Sequence, residues 1–377
     1  MKDAAFNAKG TEAGAPMEAV FPISVLPKEG EIFSSWATHV GLSHGITLNA
    51  LIDYLYTDWP YKKRDIDKFA NKQIVSKLAL AVNVEINIAT STSLYLCVLP
   101  LFINLPYNVE WVTHVNNIYT KRRSYGLCFC QQCLEESGEG YFQLHWRFSF
   151  VTLCSKHRCL LLDQCQSCGS EISLYRLASV STGLKLCYYC GFNLGRSAAI
   201  QSECFNSYFE KQEALLKLVD ESHTASSERL QDIKNYFYSL YFFTHYVMHR
   251  YFAAYPKDEM LRYGSYEKHA YFDCYSVLNR LVILDLASSC YEDLSCNFKL
   301  HLQLAAEGKI KAFHKRTRPP CDNWCIEHDY LNIGGACQRL LQAHLNKRIF
   351  VQERKFKELR VFARNCTHLR KGGKHAC

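Results

Sequence analysis

No stretch of the sequence carries the roughly 20 apolar residues that a membrane-crossing helix needs. The most apolar run, YFYSLYFFTHYVM at residues 236–248, stops after thirteen residues at His249 and Arg250. The first twenty residues, small and polar, lack the apolar stretch of a secretory signal, so residues 1–20 read as a flexible tail. Also missing are a G-x-x-x-x-G-K-[ST] phosphate loop and a recognisable cluster of nuclease carboxylates. These absences exclude a helical membrane anchor and a phosphate-loop engine, and the expectation is a non-enzymatic, cytoplasmic protein without a membrane partner.

Cysteine, by contrast, is abundant: the 377 residues include 19. Without a secretory signal a disulfide framework is disfavoured, because a reducing cytosol keeps thiols free, and metal binding becomes the leading explanation. Four two-residue-spaced pairs follow one another: Cys130 and Cys133, Cys154 and His157, Cys165 and Cys168, Cys187 and Cys190. Such a spacing suits zinc because a tight turn sets residues i and i+3 one tetrahedron edge apart around the ion. Sequential pairing gives a site of three cysteines and one histidine from Cys130, Cys133, Cys154 and His157, and a four-cysteine zinc-ribbon site from Cys165, Cys168, Cys187 and Cys190. Interleaved pairing of the same ligands is the alternative.

Two structural Zn2+ ions per chain follow, and each site closes with four donors, whereas a hydrolytic zinc keeps a position open for water. Cys128 stands outside the shared spacing and reads as a bystander. Glu135 and Glu136, beside Cys133 in LEESGEG, read as a solvated turn rather than a general base. Cys321, Cys325 and His328 have metal-like spacing but no clear fourth ligand. Cys97, Cys204, Cys274, Cys290 and Cys296 read as small buried hydrophobes.

The fold class expected is mainly α with small zinc-ribbon β elements. Residues 21–125 form an N-terminal helical domain with helix-turn-helix-like pairs. In the first pair Ile32, Phe33, Trp36 and Val40 precede a break between Gly41 and Gly45, and Leu48, Leu51, Ile52 and Leu55 follow it. The second runs from Ile66 to Leu96, with Thr90 or Ser91 as the cap of its last helix. Such pairs serve DNA reading and plain helical hairpins alike. Residues 126–200 form a tandem zinc-binding region, and 201–316 a helical domain whose Tyr and Phe residues pack a core. A basic segment, 317–377, completes the chain. The net charge of +8 matches the excess within residues 347–374, where ten Lys or Arg face two Glu. Lys347, Arg348, Arg354, Lys355, Lys357, Arg360 and Arg364 are the candidate nucleic-acid contacts, through phosphate neutralisation, with a solvated helix face as the alternative.

Two stretches resemble the TniQ family of transposon target-selection proteins. LPKEGEIFSSW at residues 26–36 is similar to the family's Leu-Pro, Gly-Glu and Ser-Trp signature. Residues 125–169 follow the family order of Cys-x-x-Cys-Leu, Trp-Arg, Cys-x-x-His, Leu-Leu and Cys-x-x-Cys-Gly, with Tyr141, Trp146 and Arg147 in place. Gln131 stands where the family usually has Pro, and His39 near where an Arg commonly follows the Trp. The resemblance implies a bacterial, nucleoid-associated adaptor that marks an insertion site and recruits an AAA+ ATPase regulator, which engages the transposase. It also implies that the site is chosen either by direct DNA binding, as in longer members, or by docking of a homodimer on a CRISPR Cascade ribonucleoprotein, as in shorter ones. From other classes, a zinc-ribbon transcription regulator and a zinc-dependent nuclease or hydrolase are the competing readings.

Overall fold

The computed structural model describes residues 21–57, 59, 64–98, 100–101, 110–115, 127–181, 183–201, 205–254 and 272–292. The architecture is mainly helical, and among the described residues β structure is limited to isolated antiparallel bridges. None of the described helices is long and apolar enough to cross a membrane. Residues 347–374 with their seven candidate nucleic-acid contacts, and Cys321, Cys325 and His328, lie outside the described residues.

The N-terminal part consists of α1 (Phe33–Ser43), α2 (Leu48–Leu55), α3 (Lys72–Ala81), α4 (Ile86–Thr90) and α5 (Leu94–Val98). The two expected hairpins are α1 with α2 and α3 with α4, and both use one stop device. After α1, Gly45 takes a φ of 68°, Gly45 N–H bonds Leu42 O and Ile46 N–H bonds Gly41 O. After α3, Asn83 takes a φ of 55°, Asn83 N–H bonds Leu80 O and Val84 N–H bonds Ala79 O. This double bond closes the last helical carbonyls, and it needs a residue that tolerates left-handed backbone, which Gly does freely and Asn better than most. Gly41 has a separate reason: a Cβ there would lie 2.9 Å from Ile46 O.

The next helices start on side-chain caps. Thr47 accepts from Ala50 N–H at 3.2 Å, and Asn71 accepts from Ile74 N–H at 3.0 Å. The expected cap of α5 at Thr90 or Ser91 moves to Ser93, whose hydroxyl accepts from Leu96 N–H at 3.1 Å. Thr90 and Ser91 instead turn their hydroxyls back onto Asn87 O and Ile88 O, closing α4.

After the metal-binding region, α7 (Asn206–Glu221), α8 (Ser227–Ala254) and α9 (Val277–Glu292) form a helical layer over it, with α6 (Gln131–Glu136) inside that region. The layer is bonded to what it covers. Tyr208 donates to Phe150 O at 2.8 Å, Gln212 Oε1 accepts from Thr152 and Leu153 N–H, and Asp163 accepts Val277 N–H at 2.7 Å, capping α9 from far away in sequence. Arg280, fully buried, donates to Ser149 O at 2.6 Å and to Cys128 Sγ at 3.3 Å. Trp111 nails the seam: its indole donates to Phe237 O, and its ring meets Phe150, Tyr241 and Phe272 edge to face. The aromatic residues of the C-terminal half described here therefore pack a core.

Candidate metal centres and a buried ion network

Three of the four ligand turns are copies of one design. In the first, Cys154 N–H bonds Cys159 O and Arg158 N–H bonds Cys154 O, both at 2.8 Å. In the second, Cys165 N–H bonds Ser170 O and Gly169 N–H bonds Cys165 O. In the third, Cys187 N–H bonds Phe192 O and Gly191 N–H bonds Cys187 O. A bridge brackets each at the same register: Leu153 with Leu160, Gln164 with Glu171, Leu186 with Asn193. The residue after the second ligand is left-handed every time, with φ 49° at Arg158, 76° at Gly169 and 70° at Gly191. Two of these positions are Gly, as the conformation favours. The third, Arg158, lays its guanidinium over Phe209 at 4.4 Å from the ring centre. The fourth pair is built differently: Cys130 precedes α6 and Cys133 lies in its first turn.

These turns converge into two groups, Cys130, Cys133, Cys154 and His157, and Cys165, Cys168, Cys187 and Cys190, in each of which all donor atoms lie within 4.8 Å of one another. The spacings are those a bound ion demands. Four sulfurs at 2.3 Å from a tetrahedral Zn2+ stand about 3.8 Å apart. In the second group Cys165 to Cys190 and Cys168 to Cys187 are both 3.7 Å. In the first, Cys133 to Cys154 is 3.6 Å, and His157 Nδ1 lies 3.3 Å from Cys130 and Cys133 and 3.6 Å from Cys154. A disulfide would need about 2.05 Å. The residues thus fit a metal ion held by four donors, in sequential rather than interleaved pairing, with no donor position left open.

Crowding of the sulfurs has an electrostatic consequence. Hydrogen bonding from Cys130 and Cys133 holds the Cys154 thiol far below its ordinary range, while Cys133 is pushed far above it by Cys130 and Cys154. In the second group Cys187 is lowered to about 5 by Cys165, which is itself raised. Several thiolates this close cannot ionise together without a cation among them.

Glu136 departs from the solvated-turn expectation. Its Oε1 lies 2.9 Å from His157 Nε2, and its other oxygen pairs with Lys156 at 2.6 Å. A carboxylate on the far nitrogen fixes the ring so that Nδ1 faces the metal position. Glu135 faces Lys185 at 3.7 Å, joining α6 to the second group's module. Cys128 lies outside both groups, buried, and burial pushes its thiol up to about 11. Cys97 and Cys274 are half-buried, while Cys204 and Cys296, and the side chain of Cys290, are outside the described residues.

Two features are not apparent in the spacing. Cys159, fully buried, places its sulfur 3.6 Å from Cys130 Sγ and takes a contact from Gln131 Nε2 at 3.8 Å. The second is a buried ion network centred on Arg147. Arg147, with no exposure, donates to both Asp65 oxygens at 3.2 and 2.5 Å, to Asp67 at 2.6 Å and to Thr113 O at 2.8 Å. Asp67 also accepts from the backbone N–H and the hydroxyl of Ser34 in α1. Burial pushes the Asp67 carboxyl up to about 6, Arg147 opposing the shift and Asp65 adding to it. His39, near the family's Arg position, is spent locally on the buried Glu31 at 2.8 Å.

Against known proteins, residues 22–161 match the family model described as TniQ. No curated protein matches the chain. The matched segment takes in both helical hairpins, Arg147 with its carboxylates and the whole first metal group, while the second group and the helical layer lie beyond it. Through residues 22–161, the chain is similar to the TniQ family.

Proposed function

We propose that this protein is a target-selection adaptor for DNA transposition: it marks an insertion site and recruits an AAA+ ATPase, which brings in the transposase. The observation that carries the reading is the family match over residues 22–161, which spans the helical hairpins and the first metal group. Each metal group is closed by four donors, so the two ions, Zn2+ by the preference of thiolate and imidazole donors, brace a binding surface and do no chemistry themselves. The site is selected either by direct DNA contact, with the basic residues 347–374 neutralising phosphates, or by docking on a Cascade ribonucleoprotein.

The test is reconstitution of the purified full chain with an AAA+ transposition ATPase and labelled DNA, with and without a Cascade complex. Retention of the ATPase on DNA only when the chain is present supports the adaptor. Tight, specific DNA binding with no ATPase association would instead favour a transcription regulator. Metal-dependent cleavage of the DNA would favour a nuclease.

A further inference from the structure

The first metal group has more donors than it needs. Its Cys154-to-Cys159 turn carries His157 on one side and Cys159 on the other, and the two differ in setting. His157 lies toward the surface, its ring held by Glu136, whose side chain is 51% exposed. Cys159 is fully buried, and its sulfur stands 3.6 Å from Cys130 Sγ, already about one tetrahedron edge away. Its carbonyl also accepts Cys154 N–H at 2.8 Å, so the residue is tied to two of the three cysteines that the group already uses. On its other side the buried Gln131 amide points its Nε2 at the sulfur, and Gln131 Oε1 has no hydrogen-bond partner among the described residues.

We propose that Cys159 is a reserve ligand: the metal of the first group can exchange His157 for Cys159, passing from three sulfurs and one nitrogen to four sulfurs without leaving the chain. Cys154-x4-Cys159 is as acceptable a ligand spacing as Cys154-x2-His157. On exchange the Cys159 thiol gives up its proton, and the departing imidazole can accept it. Such an exchange frees His157, Glu136 and Lys156 to engage a partner while the module keeps its ion. The inference rests on the first group holding a metal.

The full-length chain, H157A, C159S and H157A/C159S are loaded with Co2+, and bound metal and thiolate-to-cobalt absorption are measured. The wild type and C159S should each hold two ions. H157A should also hold two, with absorption per chain increased by about one-seventh, because eight thiolates replace the seven of the two groups. H157A/C159S should hold one. Should H157A not fold, the wild type loaded with Cd2+, which favours sulfur, decides by cadmium NMR: four-sulfur signals from both groups support the exchange, and a three-sulfur, one-nitrogen signal overturns it. A folded H157A with a single ion, or two ions in the double variant, also overturns it. A wild type that holds only one ion instead refutes the metal reading of the first group.

Discussion

Replacing Arg147 by Met removes the cation at the centre of the network while roughly keeping its volume. The side chain is 1% exposed, and its loss strands the two carboxylates that pair with it, Asp65 at 11% and Asp67 at 2% exposure. Breaking a buried pair by deleting one partner costs about 3–5 kcal/mol. At about 2–4 °C per kcal/mol for a unit of this size, the melting temperature should fall by roughly 6–20 °C. Fluorescence of the buried Trp36, Trp111 and Trp146 is the readout.

The pH dependence gives a second, sharper check. An unfolded Asp titrates near 3.9. In the wild type Asp65 is held below that range with Arg147 opposing the effect of burial, while Asp67 stands at about 6. A carboxyl whose folded pKa is raised binds more protons folded than unfolded, so it costs stability as pH climbs from about 4 through its folded value. Without Arg147 both carboxyls are raised. The deficit of R147M should therefore be smaller at pH 5 than at pH 8, and D65N/D67N added to R147M should recover much of it. A loss under about 1 kcal/mol, or a deficit that grows on acidification, would refute the reasoning.

Three further perturbations separate the parts. Removing the carboxylate behind His157 with E136A should weaken metal binding at the first group about 10–100-fold in chelator competition, leaving the second group unchanged. R280A, which deletes the bonds to Ser149 O, Tyr275 O and Cys128 Sγ, should cost about 3 kcal/mol and speed hydrogen exchange in α9 ahead of α1; equal rates would dismiss the tie. G191A, at a left-handed position with open space around it, should destabilise by about 1–2 kcal/mol, whereas R158G should be nearly neutral, because relief of the backbone offsets the contact with Phe209; equal effects in thermal melts would contradict this.

What could be read from the sequence was local. The two hairpins announce themselves because helical periodicity and a turn residue suffice to specify them, and the ligand pairs because metal geometry forces a short spacing. Other features were less visible for physical reasons. Asp65, Asp67 and Arg147 meet across some eighty residues, and nothing in the neighbourhood of any one of them announces a partner. Ser93 is one of four hydroxyl residues in a row, TSTS at 90–93, and only the direction of the chain selects it as the cap. Cys159 lies two residues past His157, and attention to a single repeated spacing hides a second permissible one.

The cap on α9 also bears on how the chain is made. Asp163 leaves the ribosome more than a hundred residues before Val277, whose N–H it will accept, and the carbonyl of Ser149 waits longer still for Arg280. Until then the metal-binding region has its ligands and the cover of α7, but lacks the part that α9 supplies. Synthesis of the last described helix is thus the step that completes the described layer, and a chain terminated between residues 201 and 276 would present the seats for α9 to solvent or to a chaperone.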